Sequence, residues 1–260
     1  EEKKVEMLST IYHMLTLAYG VPPTQFEWTE RKNSGEVVSN QTYTPLEFYH
    51  KYWTDEALYD NYLMVMNDPL REYYKVYQIE YDRHTYDGHD WVYLNLPADE
   101  IKPMAAVSLK NGDAMYFSCD VGKFINRNKG TLDLNNFDYG ALFGTEFTMD
   151  KRERVMTHAS GSSHAMTMVA IDIDTTQTSL ADLSANMDPK SLHVKKWMVE
   201  NSWGASSGHK GHLIMTDEWF DNYMFRLVIR KEYVAPKYLE MLKQKPIMLP
   251  AWDPMFLPEE

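Results

Sequence analysis

Four segments that read as strands crowd the second half of the chain, at 165–173, 194–200, 212–216 and 223–229, with Gly, Asn, Asp and Ser between them. None approaches the roughly 20 apolar residues that span a bilayer, so no membrane partner is expected. The pattern predicts a mostly antiparallel, strongly curved sheet. One Cys among 260 residues cannot form an internal disulfide, so the fold must rest on burial; 44% apolar and 13% aromatic residues can fill a core.

The first half is more helical. Val5, Leu8, Ile11, Tyr12, Leu15 and Ala18 recur at helical spacing over 5–18, and Gly20 with Pro22-Pro23 supplies the stop. After a polar stretch holding Asn33, Ser34 and Gly35, the segment 44–49 has Thr at the cap, Pro in the first turn and Glu at the third position, which predicts a short second helix. Strands are expected at 63–66 and 73–81, a helix at 97–110 closed by Asn111-Gly112, and a strand at 113–119. The aperiodic polar segment 174–191 reads as a surface excursion; 236–244 reads as a short helix and 246–260 as an extended arm carrying Trp252. The class is α+β. The expected division is 1–110, a helical insertion and the start of the sheet; 111–245, the main lobe; and 246–260, the arm.

Charge narrows the partners. Lys and Arg number 26 against 38 Asp and Glu, a net charge of −12 that repels phosphate backbones, so nucleic acid is not an expected partner. The chain opens Glu1-Glu2-Lys3-Lys4, with neither an initiating Met nor signal-peptide features. The expectation is that something upstream was removed or that this is a fragment, and that the location is cytoplasmic.

Chemistry concentrates at two places. His164 follows a polar Ser160-Gly161-Ser162-Ser163 loop and opens an apolar strand; Asn201 closes another in Val199-Glu200-Asn201-Ser202-Trp203-Gly204. An imidazole that shuttles a proton needs its second nitrogen held by an acceptor, and a neutral amide oxygen does this without adding charge. Trp203 could shield that bond from water. Taken alone, Asn-Ser-Trp-Gly also fits a turn over a buried Trp, and His164 a capping residue. The sole thiol, Cys119, has Asp120 beside it and no helix beginning after it, which suits a structural residue better than a thiolate. His84, His89, His158, His164, His209 and His212, with Asp87 and Asp90, show no His-x-x-x-His pair, so neither metal nor cofactor is expected. No carboxylate pair stands out.

Together, Ser163-His164-Ala165-Met166-Thr167 and Val199-Glu200-Asn201-Ser202-Trp203-Gly204 resemble the His and Asn half of a papain-type cysteine peptidase. The segments 44–49, 66–69, 118–123, 208–211, 215–220 and 249–255 narrow the likeness, in order, to the bleomycin hydrolase and aminopeptidase C family. The resemblance implies a papain-like fold, mainly its antiparallel β-barrel (right-hand) lobe with accessory helices. It also implies a thiol aminopeptidase acting on peptide substrates, with His164 as general base, Asn201 orienting it and Trp203 covering the pair. The family's nucleophile belongs to a Cys-Gly-Ser-Cys-Trp-like helix opening that nothing here matches, and so is expected upstream. Either His158 or His164 could be the base; His164 is favoured because the apolar strand starts directly after it. The resemblance further implies a homo-oligomer, a hexamer in the family, and an arm anchored by Trp252 and Pro254 that presents the carboxylate of Glu260 to a substrate ammonium. The excursion 174–191 is expected to protrude near a cleft rim or a subunit contact.

Overall fold

The computed structural model describes residues 2–52, 61–83 and 85–254. Two compact units divide it, Glu1–Asp60 and Asn61–Glu260.

The first unit opens with α1 (Glu2–Tyr19), none of whose residues is buried. A hairpin follows, β1 (Phe26–Arg31) against β2 (Val37–Tyr43), in register from Phe26↔Tyr43 to Glu30↔Ser39. The polar stretch in the sequence is its turn: Gly35 takes φ 86, the left-handed region that glycine enters freely, and its N–H donates to Lys32 O at 2.8 Å. The short helix expected after Thr44 is α2 (Pro45–Tyr52). Its cap is reciprocal, with Thr44 N donating to Glu47 Oε2 at 2.8 Å and Glu47 N to Thr44 Oγ1 at 3.2 Å. Phe48 of α2 packs edge-on against Phe26 (5.2 Å), Trp28 (5.3 Å) and Tyr43 (5.7 Å), tying helix to hairpin.

The second unit is built on one sheet. In chain order its elements begin with β3 (Tyr62–Met66), β4 (Lys75–Ile79), β5 (Val92–Asn95), α3 (Ala98–Lys110), β6 (Met115–Cys119), β7 (Ile125–Asn126) and β8 (Thr131–Leu132). There follow α4 (Tyr139–Phe143), α5 (Lys151–Met156), β9 (His164–Ile173), β10 (Val194–Glu200), β11 (His212–Thr216), α6 (Asp217–Tyr223), β12 (Met224–Arg230), α7 (Pro236–Met241) and β13 (Ile247–Leu249). The strand order is β13-β4-β5-β3-β12-β6-β9-β10-β11-β8-β7. Neighbours pair antiparallel except β3 with β5, β13 with β4 and β11 with β8, which run parallel. The core gathers on the α3 side: Ile101, Met104 and Ala105 of the helix join Phe117, Met168, Trp197, Phe220 and Leu227. Trp197 stacks on Phe220 at 4.9 Å, and Phe220 on Phe117 at 6.1 Å. Each such side chain contributes roughly 2–3 kcal/mol by leaving water.

Two sequence expectations change, and one further helix appears. The segment 217–223 is a helix, capped by Thr216, whose Oγ1 accepts from Trp219 N; the apolar runs on either side hid it. The segment 174–191 does not simply project. Leu183, with Leu192 just past the segment's end, is buried against Ala106 of α3, and Lys110 donates to Leu180 O at 2.9 Å, so apolar residues scattered without period still find a helix to cover. In the arm, Trp252 is 70% exposed and the buried residue is Asp253, bonded to Arg71, so an ion pair rather than the indole fixes the arm's root. Residues 255–260, including Glu260, and His84 lie outside the described residues.

Candidate active site

His164 is the first residue of β9 and lies between two strands. On one side it stands opposite Cys119 of β6; on the other, β9 pairs with β10. The β9–β10 register matters here. Met198 faces Ala170 but Val199 faces Met168, so Val169 is an extra residue in β9, a bulge. A one-residue slip turns every later side chain to the opposite face. Past the bulge Glu200 faces Thr167, and the register continued one step puts Asn201 opposite Met166, on the face that also carries His164. Had the register of Met198↔Ala170 continued without this shift, Asn201 would stand opposite Thr167, on the face away from the imidazole.

The side chains meet: His164 Nε2 and Asn201 Oδ1 are 2.9 Å apart. Ser202 N donates to the same Oδ1 at 2.8 Å. A backbone N–H can only donate, so this bond identifies the oxygen of the amide. The oxygen in turn requires Nε2 of His164 to carry hydrogen, and the neutral ring then has its Nδ1 lone pair available to take a proton. Asn201 N is held by Gly211 O at 2.9 Å, which fixes the residue from the backbone side as well. The indole of Trp203 lies 5.3 Å from the imidazole, tilted by 35°. A shallow depression of about 510 Å³ next to Asn201 is lined by Tyr116, Thr167, Glu200 and Ser202.

The remaining candidates sit elsewhere. His158 is exposed, in a left-handed turn (φ 58) just beyond α5, and its ring makes no hydrogen bond among the described residues. Cys119 is wholly buried, and desolvation, reinforced by the Asp120 carboxylate, pushes its thiol well above the ordinary range. Such a thiol stays protonated and packs as a small apolar group. Among the described residues no three His, Cys, Asp or Glu side chains gather as a metal would require, and no helix is long and apolar enough to cross a membrane.

Sequence reasoning overlooked Arg127, whose guanidinium lies 4.8 Å from the Trp203 ring. It stands in an Asn-Arg-Asn-Lys-Gly turn that reads as solvated surface, and only the contact across the fold marks it out. A roomier cavity of about 930 Å³, lined by Phe124, Phe137, Tyr139, Phe143 and Tyr223 among others, does not include the His164–Asn201 pair.

The comparisons with known proteins agree on one family. A model described as the Peptidase C1-like family matches residues 1–256. The chain is 36% identical over 252 residues to bleomycin hydrolase of Homo sapiens, covering 96% of this chain and 52% of that protein. It is 33% identical over 254 residues to aminopeptidase C of Lactococcus lactis subsp. cremoris, covering 97% and 54%. A crystal structure of PepW from Lactobacillus rhamnosis HN001 superposes with a TM-score of 0.81 at 32% identity, over 97% of this chain and 54% of that one. The chain thus spans about half the length of the curated relatives it matches.

Proposed function

The chain belongs to the Peptidase C1-like family and has its papain-like α+β fold, and from that premise we propose that it is the portion of a thiol aminopeptidase carrying the imidazole base and its orienting amide. The observation that carries this reading is the 2.9 Å contact between His164 Nε2 and Asn201 Oδ1, with Trp203 beside it. The thiolate comes from polypeptide upstream of Glu1, because the one thiol present, Cys119, is buried and held protonated.

In this reading Nδ1 of His164 takes the proton of the incoming thiol, giving a thiolate–imidazolium pair. The thiolate attacks the scissile carbonyl carbon. As the C–N bond breaks, the imidazolium returns its proton to the departing amine, leaving a thioester. Water then attacks the thioester with His164 again accepting a proton, and the thiol is regenerated. Asn201 holds the ring in one tautomer and orientation throughout without placing a full negative charge beside it. Trp203 keeps water from competing for the Nε2 hydrogen bond. The carboxylate of Glu260 would attract a substrate's α-ammonium, restricting cleavage to amino ends. Assembly into a homohexamer belongs to the same proposal.

The buried Cys119 also favours a second reading for the isolated chain, a binding or assembly module that cleaves nothing. An aminoacyl fluorogenic amide separates the two when offered to the 260-residue chain and to a chain extended upstream. Turnover is expected only from the extended chain. Activity in the short chain that vanishes on Cys119→Ala would mean the nucleophile has been misplaced, and inactivity of both would leave the module reading.

A further inference from the structure

The β7–β8 hairpin carries Arg127 onto the indole that covers the imidazole, and glycine makes this possible. A Cβ on Gly130 would lie 2.7 Å from Gly208 Cα, and one on Gly208 would lie 2.4 Å from His212 O. With neither present, the hairpin sits directly on the loop that follows Asn201, and Ile214 N donates to Gly130 O at 2.9 Å. Arg127 is thereby laid against Trp203 at 4.8 Å, while Trp203 lies 5.3 Å from His164. Among the described residues the guanidinium has no hydrogen bond and no ion pair, although the chain bears a net charge of −12. Arginine stacked on an aromatic ring keeps its planar fork of donors at the edge, where it matches a carboxylate.

We propose that Arg127 receives the α-carboxylate of short peptides and so biases the site toward them. This deepens the peptidase reading and rests on it for its placement. The imidazolium protonates the departing amine, so the departing residues emerge beside His164, and the surface that continues from the imidazole through Trp203 ends in the guanidinium. The two contacts place Arg127 and His164 at most about 10 Å apart, the reach of roughly three extended residues at 3.3–3.6 Å each. The carboxylate of a departing di- or tripeptide therefore falls at the fork. A longer chain, or one ending in an amide, gains nothing there.

The test uses the 260-residue chain without turnover. Trialanine and trialanine carboxamide are titrated in low salt, following the indole N–H resonance of Trp203 and the imidazole of His164. The free acid is expected to bind about tenfold more tightly than the amide, and Arg127→Gln, an exposed change, to erase the difference. Equal affinity for acid and amide, no detectable binding of either, or a preference that survives Arg127→Gln overturns the proposal. An acid preference that Arg127→Gln erases, in a protein whose upstream-extended form turns over no peptide, would instead sink the peptidase reading and leave the carboxylate site standing.

Discussion

His164 and Asn201 are 37 positions apart in sequence, yet Nε2 of one lies 2.9 Å from Oδ1 of the other, across strands whose register is shifted by a single extra residue, Val169. The amide acts on substrate only through the ring it holds. Asn201→Ala should therefore lower kcat of the active enzyme by about a hundredfold, at the lower end of what acid–base catalysis contributes, and change KM little. Steady-state kinetics on a peptide amide would show this; an equal rise in KM with kcat intact would make Asn201 a substrate contact instead.

Lys102 of α3 sits almost wholly buried, with its Nζ 2.7 Å from Asp217 Oδ2 and 2.7 Å from Asp221 Oδ1 of α6. Asp217 also accepts from Trp197 Nε1 at 3.0 Å, so the cluster joins α3, α6 and β10. Lys102→Ala leaves two carboxylates facing each other without their cation and should cost about 3 kcal/mol, in the range for breaking a buried pair from one side. Urea unfolding near neutral pH measures it; a loss below about 1 kcal/mol would place the cluster with surface ion pairs.

A second enclosed group makes stability depend on pH. The Lys151 ammonium donates to Asn67 Oδ1 at 2.5 Å and to Asp221 O at 3.2 Å, and desolvation pulls it down from 10.5 to about 7. Nearby Asp68 is pushed up by burial from 3.8 to about 6. Between about pH 7 and 10.5 the unfolded lysine holds a proton that the folded one has lost, so this group makes stability rise with pH. Between about pH 4 and 6 the folded Asp68 holds a proton that the unfolded one has lost, so stability falls as pH rises. Each limb has a slope of at most about 1.4 kcal/mol per pH unit. Against the wild type, Lys151→Met should remove the upper limb and Asp68→Asn the lower. Parallel unfolding profiles for all three proteins would contradict this.

Much of the architecture was legible because period and punctuation coincide. The Thr44–Glu47 capping box, the helix ending at Asn111 and the β9, β10 and β11 runs all announce themselves locally. The elements that escaped did so for physical reasons. α6 is seven residues between two apolar strands, too short to show a helical period, though Thr216 signals its start. β13 holds three residues and exists only because β4 offers it a parallel partner. At the site, the residue types and their strand ends could be read from the sequence, but the Val169 bulge and the Gly130–Gly208 approach depend on pairing partners that no local window contains.

The root of the arm supplies another expectation. Asp253 is wholly buried on Arg71, just beyond the β13–β4 pairing. Asp253→Asn keeps the shape and removes the charge, which should hasten hydrogen exchange at Ile247, Met248 and Leu249 by about tenfold while the β9–β10 amides stay unchanged. Unaltered exchange in β13 would show that the strand pairing alone holds the arm.

The central assignment is of the base, and two histidines compete for it. His164 holds the amide contact, whereas His158 is exposed beyond α5. The most direct measurement is kcat/KM of the upstream-extended chain on an aminoacyl fluorogenic amide, for His164→Ala and His158→Ala in parallel. The loss expected from His164→Ala is at least about a thousandfold, with most activity retained in His158→Ala; retention in the former and loss in the latter would contradict the assignment.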